Sequence, residues 1–183
     1  MKEKSKILDK AGIQKIIVRI AHEVIEKHKN TQDLVIIGIM NRGVHLANRL
    51  AGAIAEIDGP RPPVGTLDIT LYRDDLSGVI AEQPVVRSTD LIFDINNKKV
   101  ILVDDVLYSG RTVRAALTEL IDFGRPQFIQ LAVLIDRGFR ELPIRADFVG
   151  KNIPTSQQEI VEVRLEASDG VDEVVIMEKQ END

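Results

Sequence analysis

Three short, nearly uninterrupted apolar runs, at residues 34–39, 100–103 and 128–135, constrain this chain more than any other feature. Each is shorter than an ordinary helix and lacks the alternation of a strand with one wet face. Strands of that kind are covered on both sides, which calls for parallel pairing with helices on the two faces of a sheet. The intervening sequence supplies those helices. From Asp9, a residue suited to capping, Ile13, Ile16, Ile17, Ile20, Ala21, Val24 and Ile25 recur at the spacing of one buried helical face. Residues 44–57 repeat the pattern through Ala47, Leu50, Ala51 and Ile54, and residues 112–123 predict a third helix that stops at Gly124-Arg125-Pro126. Repeated strand, loop and helix make an α/β fold of parallel units.

The rest of the chain reads as accessory structure. Residues 65–72 predict a strand that leads into a polar stretch from Arg73 to about Thr89, long enough for a loop that covers a site. Residues 146–149, 160–165 and 173–177 predict further strands, the last two forming an edge hairpin around Asp169-Gly170. The length of 183 residues fits a single domain, 1–183. The chain has no cysteine, so disulfides, thiolate metal sites and a cysteine nucleophile are excluded, in keeping with a reducing, cytoplasmic location. Only two apolar residues separate the charged start from Asp9, which predicts no signal peptide, and no run approaches a membrane span.

The chemistry concentrates after residues 100–103. That run meets Asp104 and Asp105, and Ser109-Gly110-Arg111-Thr112 then opens a helix. Paired carboxylates suit vicinal sugar hydroxyls or a Mg²⁺ ion, while hydroxyls, a glycine and the N–H groups of a helix start suit a phosphate. The lysine of a P-loop and the Gly-x-Gly-x-x-Gly of dinucleotide folds are both missing, so ATPase and dehydrogenase readings lose their support.

Residues 100–112 resemble the phosphoribosyl diphosphate (PRPP) signature of type I phosphoribosyltransferases. More narrowly, Val103-Asp104-Asp105-Val106-Leu107-Tyr108-Ser109-Gly110-Arg111-Thr112-Val113-Arg114 resembles the PyrR family of bifunctional pyrimidine operon attenuation regulators and uracil phosphoribosyltransferases. The likeness extends through Asp68-Ile69-Thr70-Leu71-Tyr72-Arg73-Asp74-Asp75-Leu76, residues 130–138, Glu141-Leu142-Pro143-Ile144-Arg145-Ala146-Asp147 and Gly150-Lys151.

This resemblance implies a mostly parallel central sheet flanked by helices, with a flexible cover loop and a small hood. It implies conversion of uracil and PRPP to UMP and diphosphate through a transition state with positive charge on the ribose. Asp104 and Asp105 would hold the ribose hydroxyls, directly or through Mg²⁺. Val106, Leu107, Tyr108, Ser109, Gly110, Arg111 and Thr112 would receive the 5′-phosphate. Met40, Asn41, Arg42 and Gly43 would receive the diphosphate, Arg42 as a catalytic cation. Arg73, Asp74 and Asp75 would lie on the cover loop, and Asp136 and Arg137 beside the base.

The second activity that the resemblance implies is regulation by UMP or UTP of binding to the leader mRNA of pyrimidine genes. The net charge of −5 is compatible with this, because residues 159–183 carry −7 and the remainder +2. Arg19, His22 and Lys27 share one side of the first helix, and Arg140, Arg145 and Lys151 would extend the surface. Only seven aromatics, two Tyr and five Phe, are available for base stacking. A salvage enzyme with no RNA binding is the alternative. The family implies a homodimer or homotetramer. Met40 stands where family members commonly carry a cation, Phe139 where they carry His, and Val18 where they carry Thr. Ser109 keeps the hydroxyl of a usual Thr, and His28 and His45 are read as structural.

Overall fold

A computed structural model describes residues 1–29, 31–70 and 89–178. Its centre is a five-stranded sheet in the order β3-β2-β4-β5-β6, formed by β2 (Leu34–Ile39), β3 (Val64–Leu67), β4 (Lys99–Leu107), β5 (Phe128–Asp136) and β6 (Phe148–Asn152). Every pairing in it is parallel. Helices α1 (Lys10–His28) and α2 (Arg42–Asp58) cover one face, and α3 (Arg111–Phe123) covers the other.

Two-sided cover explains the apolar runs. Ile36, Ile101, Val103 and Leu134 pack with Ile13, Ile17, Leu50 and Ile54 in one core, whereas Val35, Ile37, Leu102 and Val133 pack with Val113, Ala116 and Leu120 in the other. Burying each such side chain contributes about 1.5–3 kcal/mol. Helix α1 begins as its sequence implies, with the Asp9 carboxylate accepting from Gly12 N at 2.7 Å.

A smaller antiparallel sheet, β1-β8-β7, forms a hood over this layer. It joins β1 (Lys2–Asp9), β7 (Glu159–Arg164) and β8 (Glu173–Glu178), with the short α4 (Glu166–Asp169) between the last two. The predicted hairpin is therefore present, and β1 is an additional strand with no apolar alternation to announce it: most of its residues are exposed, and its register with β8 shifts twice. Val161, Val163, Leu165, Val174 and Ile176 bind the hood to the α1–α2 side of the core.

Several predicted boundaries change, among them the strand expected at 146–149, which runs Phe148–Asn152. β4 continues through Asp104 and Asp105 to Leu107, because β5 keeps pairing with it as far as Leu107 against Asp136. β3 ends at Leu67, shorter than the predicted 65–72, and Leu71 and Tyr72 lie outside the described residues. No helix among the described residues is long and apolar enough to cross a membrane.

Candidate active site

The carboxyl ends of β2, β4 and β5 lie side by side, the usual place for a ligand in a parallel sheet. Gly38 pairs with Val103, so β4 extends past β2 and brings Asp104 and Asp105 to the open end of the sheet. Close backbone approach makes this possible. A Cβ on Gly43 would stand 2.5 Å from Val103 O, and one on Gly38 would stand 2.5 Å from Val44 Cα. Only glycine at these points lets α2 start against β4. The Met40–Asn41 peptide bond in the preceding turn is cis.

Asp104 is 7% exposed and Asp105 half-buried. Asp105 N donates to Asp104 Oδ1 at 2.9 Å, and Val106 N donates to Asp105 Oδ1 at 2.8 Å. Burial pushes the Asp105 carboxyl above its ordinary value, opposed by the hydrogen bonds from Val106 and Asp104 and by the charge of Arg42. A desolvated carboxylate of this kind gains from a cation beside it. Among the described residues no group of three or more acidic, histidine or cysteine side chains forms a metal cage. Hard oxygen donors from one or two carboxylates, completed by substrate oxygens, are the ordinary setting for Mg²⁺, and this pair fits it.

Beyond Leu107 the chain turns through Tyr108, Ser109 and Gly110 into α3. Gly110 has φ +94° and caps the helix, whose first backbone bond runs from Arg114 N to Gly110 O at 2.9 Å. Ser109 Oγ accepts from Arg111 N at 3.3 Å. A second loop fixes this turn from outside: Glu141 N and Leu142 N both donate to Ser109 O, and Arg111 Nε donates to Glu141 Oε2 at 2.7 Å. Leu107 is fully buried and the Val106 side chain packs against the core, whereas Tyr108, Ser109, Arg111 and Thr112 remain partly or wholly exposed.

Arg42 opens α2, its charge felt at Asp105, and is held by Asp169 of α4, Nε to Oδ2 at 3.1 Å and Nη2 to Oδ1 at 2.9 Å. That pair keeps the Asp169 carboxyl down at about 2 and the guanidinium above its ordinary value. Asp169 carries no sequence signal for this role, since its proximity arises only when the hood folds back.

Asp136 ends β5. It accepts from Gly138 N at 2.9 Å and pairs with Arg140. Arg137 is 7% exposed; its Nη2 donates to Glu159 O at 2.7 Å, its Nε to Thr155 Oγ1 at 3.2 Å, and its guanidinium lies 4.3 Å above the Tyr108 ring. It therefore braces the hood against the turn at Tyr108. Arg73, Asp74 and Asp75 lie outside the described residues.

The cations proposed for RNA divide into two places. Arg19, His22 and Lys27 are exposed on α1, and Arg19 Nη2 reaches Val149 O at 3.0 Å while Lys27 Nζ reaches Asp147 Oδ1 at 3.2 Å. Lys151 follows on β6, so Arg19, Lys27 and Lys151 share the α1–β6 edge, with exposed Arg145 two residues before Asp147. Arg140 is elsewhere, its guanidinium donating to Tyr108 O at 2.8 Å and Ile144 O at 2.9 Å. Phe139, at φ +58°, is exposed with its ring edge-on to Tyr108.

The phosphoribosyl transferase domain family matches residues 3–168. The Bifunctional protein PyrR of Pelotomaculum thermopropionicum is 62% identical over 180 residues, covering 98% of this chain and 99% of that protein. That of Chloroflexus aurantiacus is 60% identical over 183 residues, covering all of both. Among solved structures, a Staphylococcus aureus hypoxanthine phosphoribosyltransferase superposes with a TM-score of 0.69 at 21% identity, over 94% of this chain and 92% of that one. The Trypanosoma cruzi hypoxanthine phosphoribosyltransferase gives 0.72 at 16% identity, over 97% and 98%. At such identities the solved structures support the fold alone.

Proposed function

The chain belongs to the PyrR family of phosphoribosyltransferases, and on that premise we propose that it is a UMP-responsive regulator that binds the leader mRNA of pyrimidine genes and also converts uracil and PRPP to UMP and diphosphate. What supports the enzymatic half is that the β4 end carrying Asp104 and Asp105 packs against the start of α2, where Arg42 stands, and runs on into the turn that opens α3.

In this reading the α3 start takes the 5′-phosphate through its N–H groups and hydroxyls. Asp104 and Asp105 accept from the ribose hydroxyls, and their negative charge favours the sugar as the bond from C1′ to the diphosphate oxygen breaks. Arg42 holds the departing diphosphate, uracil N1 bonds to C1′, and the N1 proton is released. Asp104 and Asp105 would hold Mg²⁺ together with substrate oxygens, and the ion would supply charge neutralisation there. Asp136 stands near the base, with Arg137 fixing the floor on which it rests, and Arg73, Asp74 and Asp75 complete the site from the segment outside the described residues. The chain works as one domain, in the cytoplasm where its nucleotide and mRNA partners are found, as a homodimer or homotetramer.

RNA would meet the α1–β6 edge, where Arg19, His22, Lys27, Arg145 and Lys151 offer phosphate contacts. The engagement of Arg140 with Tyr108 O and Asp136 favours the salvage-only alternative in one respect, since that cation serves the nucleotide end of the sheet. Incubation with uracil, PRPP and Mg²⁺ is expected to yield UMP; reaction of hypoxanthine or orotate in place of uracil overturns the base assignment. A leader stem-loop should bind more tightly with UMP and more weakly with salt. Equal affinity for unrelated RNA without a UMP effect leaves the salvage enzyme.

A further inference from the structure

The cavity beside the start of α2 holds an imidazole with no role so far. Met40, Asn41, Arg42, His45, Thr66 and Asp169 line it. His45 lies three residues beyond Arg42, so the two side chains leave the same face of the helix. Its imidazole is half-buried, and among the described residues no hydrogen bond reaches it. Its neighbours are committed: Asp169 is bound by Arg42, Ser168 Oγ donates to Asp169 Oδ2 at 2.9 Å, and the Thr66 backbone exchanges two hydrogen bonds with Asp90.

A diphosphate carries several negative charges over two phosphoryl groups, more than one guanidinium already facing Asp169 can answer. Met40 offers no charge. Among the described residues lining the cavity, Arg42 and His45 carry side-chain ring or guanidine N–H donors. We propose that His45 is a diphosphate-binding residue, donating an imidazole N–H to a phosphoryl oxygen of the leaving group while Arg42 holds the other side. This deepens the reading of the site as a phosphoribosyltransferase and rests on it. It also assigns the second donor to the helix and not to the turn before it.

The test is a calorimetric titration of the full chain with sodium diphosphate and Mg²⁺, alongside the kinetics of UMP formation. His45→Ala should weaken diphosphate binding about tenfold, as expected for loss of one charge-assisted hydrogen bond, and raise KM for PRPP similarly with KM for uracil unchanged. His45→Phe, which keeps a ring but no donor, should behave as the alanine variant does and replaces it if that variant fails to fold. His45→Gln should recover most of the binding. Diphosphate affinity within twofold of the parent in His45→Phe overturns the inference, as does a parent that binds no diphosphate. A parent that binds diphosphate, loses it in His45→Phe, yet makes no UMP from uracil supports the His45 assignment and overturns the uracil reading.

Discussion

Arg42 and Asp169 meet as a two-pronged ion pair, at 3.1 and 2.9 Å, although 127 residues separate them in the chain. The pair ties the helix that should hold diphosphate to the hood. Any anion that reaches this guanidinium must compete with a carboxylate already seated on it.

Asp169→Asn should destabilise the protein by about 1 kcal/mol at neutral pH, since both partners are partly exposed and solvent screens much of the pair. The depressed carboxyl sets the sign. Stability from the charged form is fully present above the ordinary value near 4 and is lost as pH falls toward about 2. Urea denaturation of both proteins between pH 6 and 3 should show the gap closing at the acid end. A gap that widens on acidification would contradict the assignment.

Glu119 predicts the opposite slope. It is 4% exposed on α3, Thr89 Oγ1 donates to its Oε1, and Oε2 has no partner among the described residues. Burial first, and the nearby charges of Asp68 and Asp122 with it, push its carboxyl upward. The neutral acid is favoured in the folded state, so its contribution is greatest below about 4.5 and is lost as pH rises through the elevated folded value. Glu119→Gln should flatten that decline and gain on the order of 1 kcal/mol at pH 8, read from thermal melts across pH 4 to 8. Asp68, also buried, keeps its own Oδ2 without a partner among the described residues.

Gly43→Ala tests the close approach of α2 to β4. Its new methyl would lie 2.5 Å from a backbone oxygen that β4 cannot easily move. The expected cost is about 1–3 kcal/mol in denaturant, with a rise in KM for PRPP because Arg42 moves with the helix start. Wild-type stability with unchanged KM would show that α2 shifts without disturbing the site.

Asp105→Asn should lower kcat by about 10²–10³-fold with a smaller change in KM for PRPP, if its charge acts on the ribose cation and less on the ground state. Steady-state kinetics with uracil in excess distinguish this from equal losses in both parameters.

Much of this architecture was legible from periodicity. The buried strands and the apolar faces of α1, α2 and α3 follow from spacing, because burial on two sides or on one leaves distinct marks. Asp104, Asp105 and the Ser109–Gly110 turn were also visible, as polar residues interrupting an apolar pattern. β1 was not: it is exposed along most of its length and is a strand only because β8 offers it an edge. The roles of Arg137, Arg140 and Asp169 were equally hidden, for they depend on contacts between segments that no local pattern records. Arg137 looked like a base contact from its place after β5, whereas its guanidinium is spent on Thr155, Ser156 and Glu159.

The pairing of β1 with β8 has a consequence for how the protein is made. β1, the first described strand, has its sole described sheet neighbour in β8, which is made more than 160 residues later. The central sheet can assemble while synthesis continues, but the hood must wait, and with it the Asp169 that restrains Arg42. A nascent chain thus carries Arg42 without its Asp169 counterweight until the hood segment has been made.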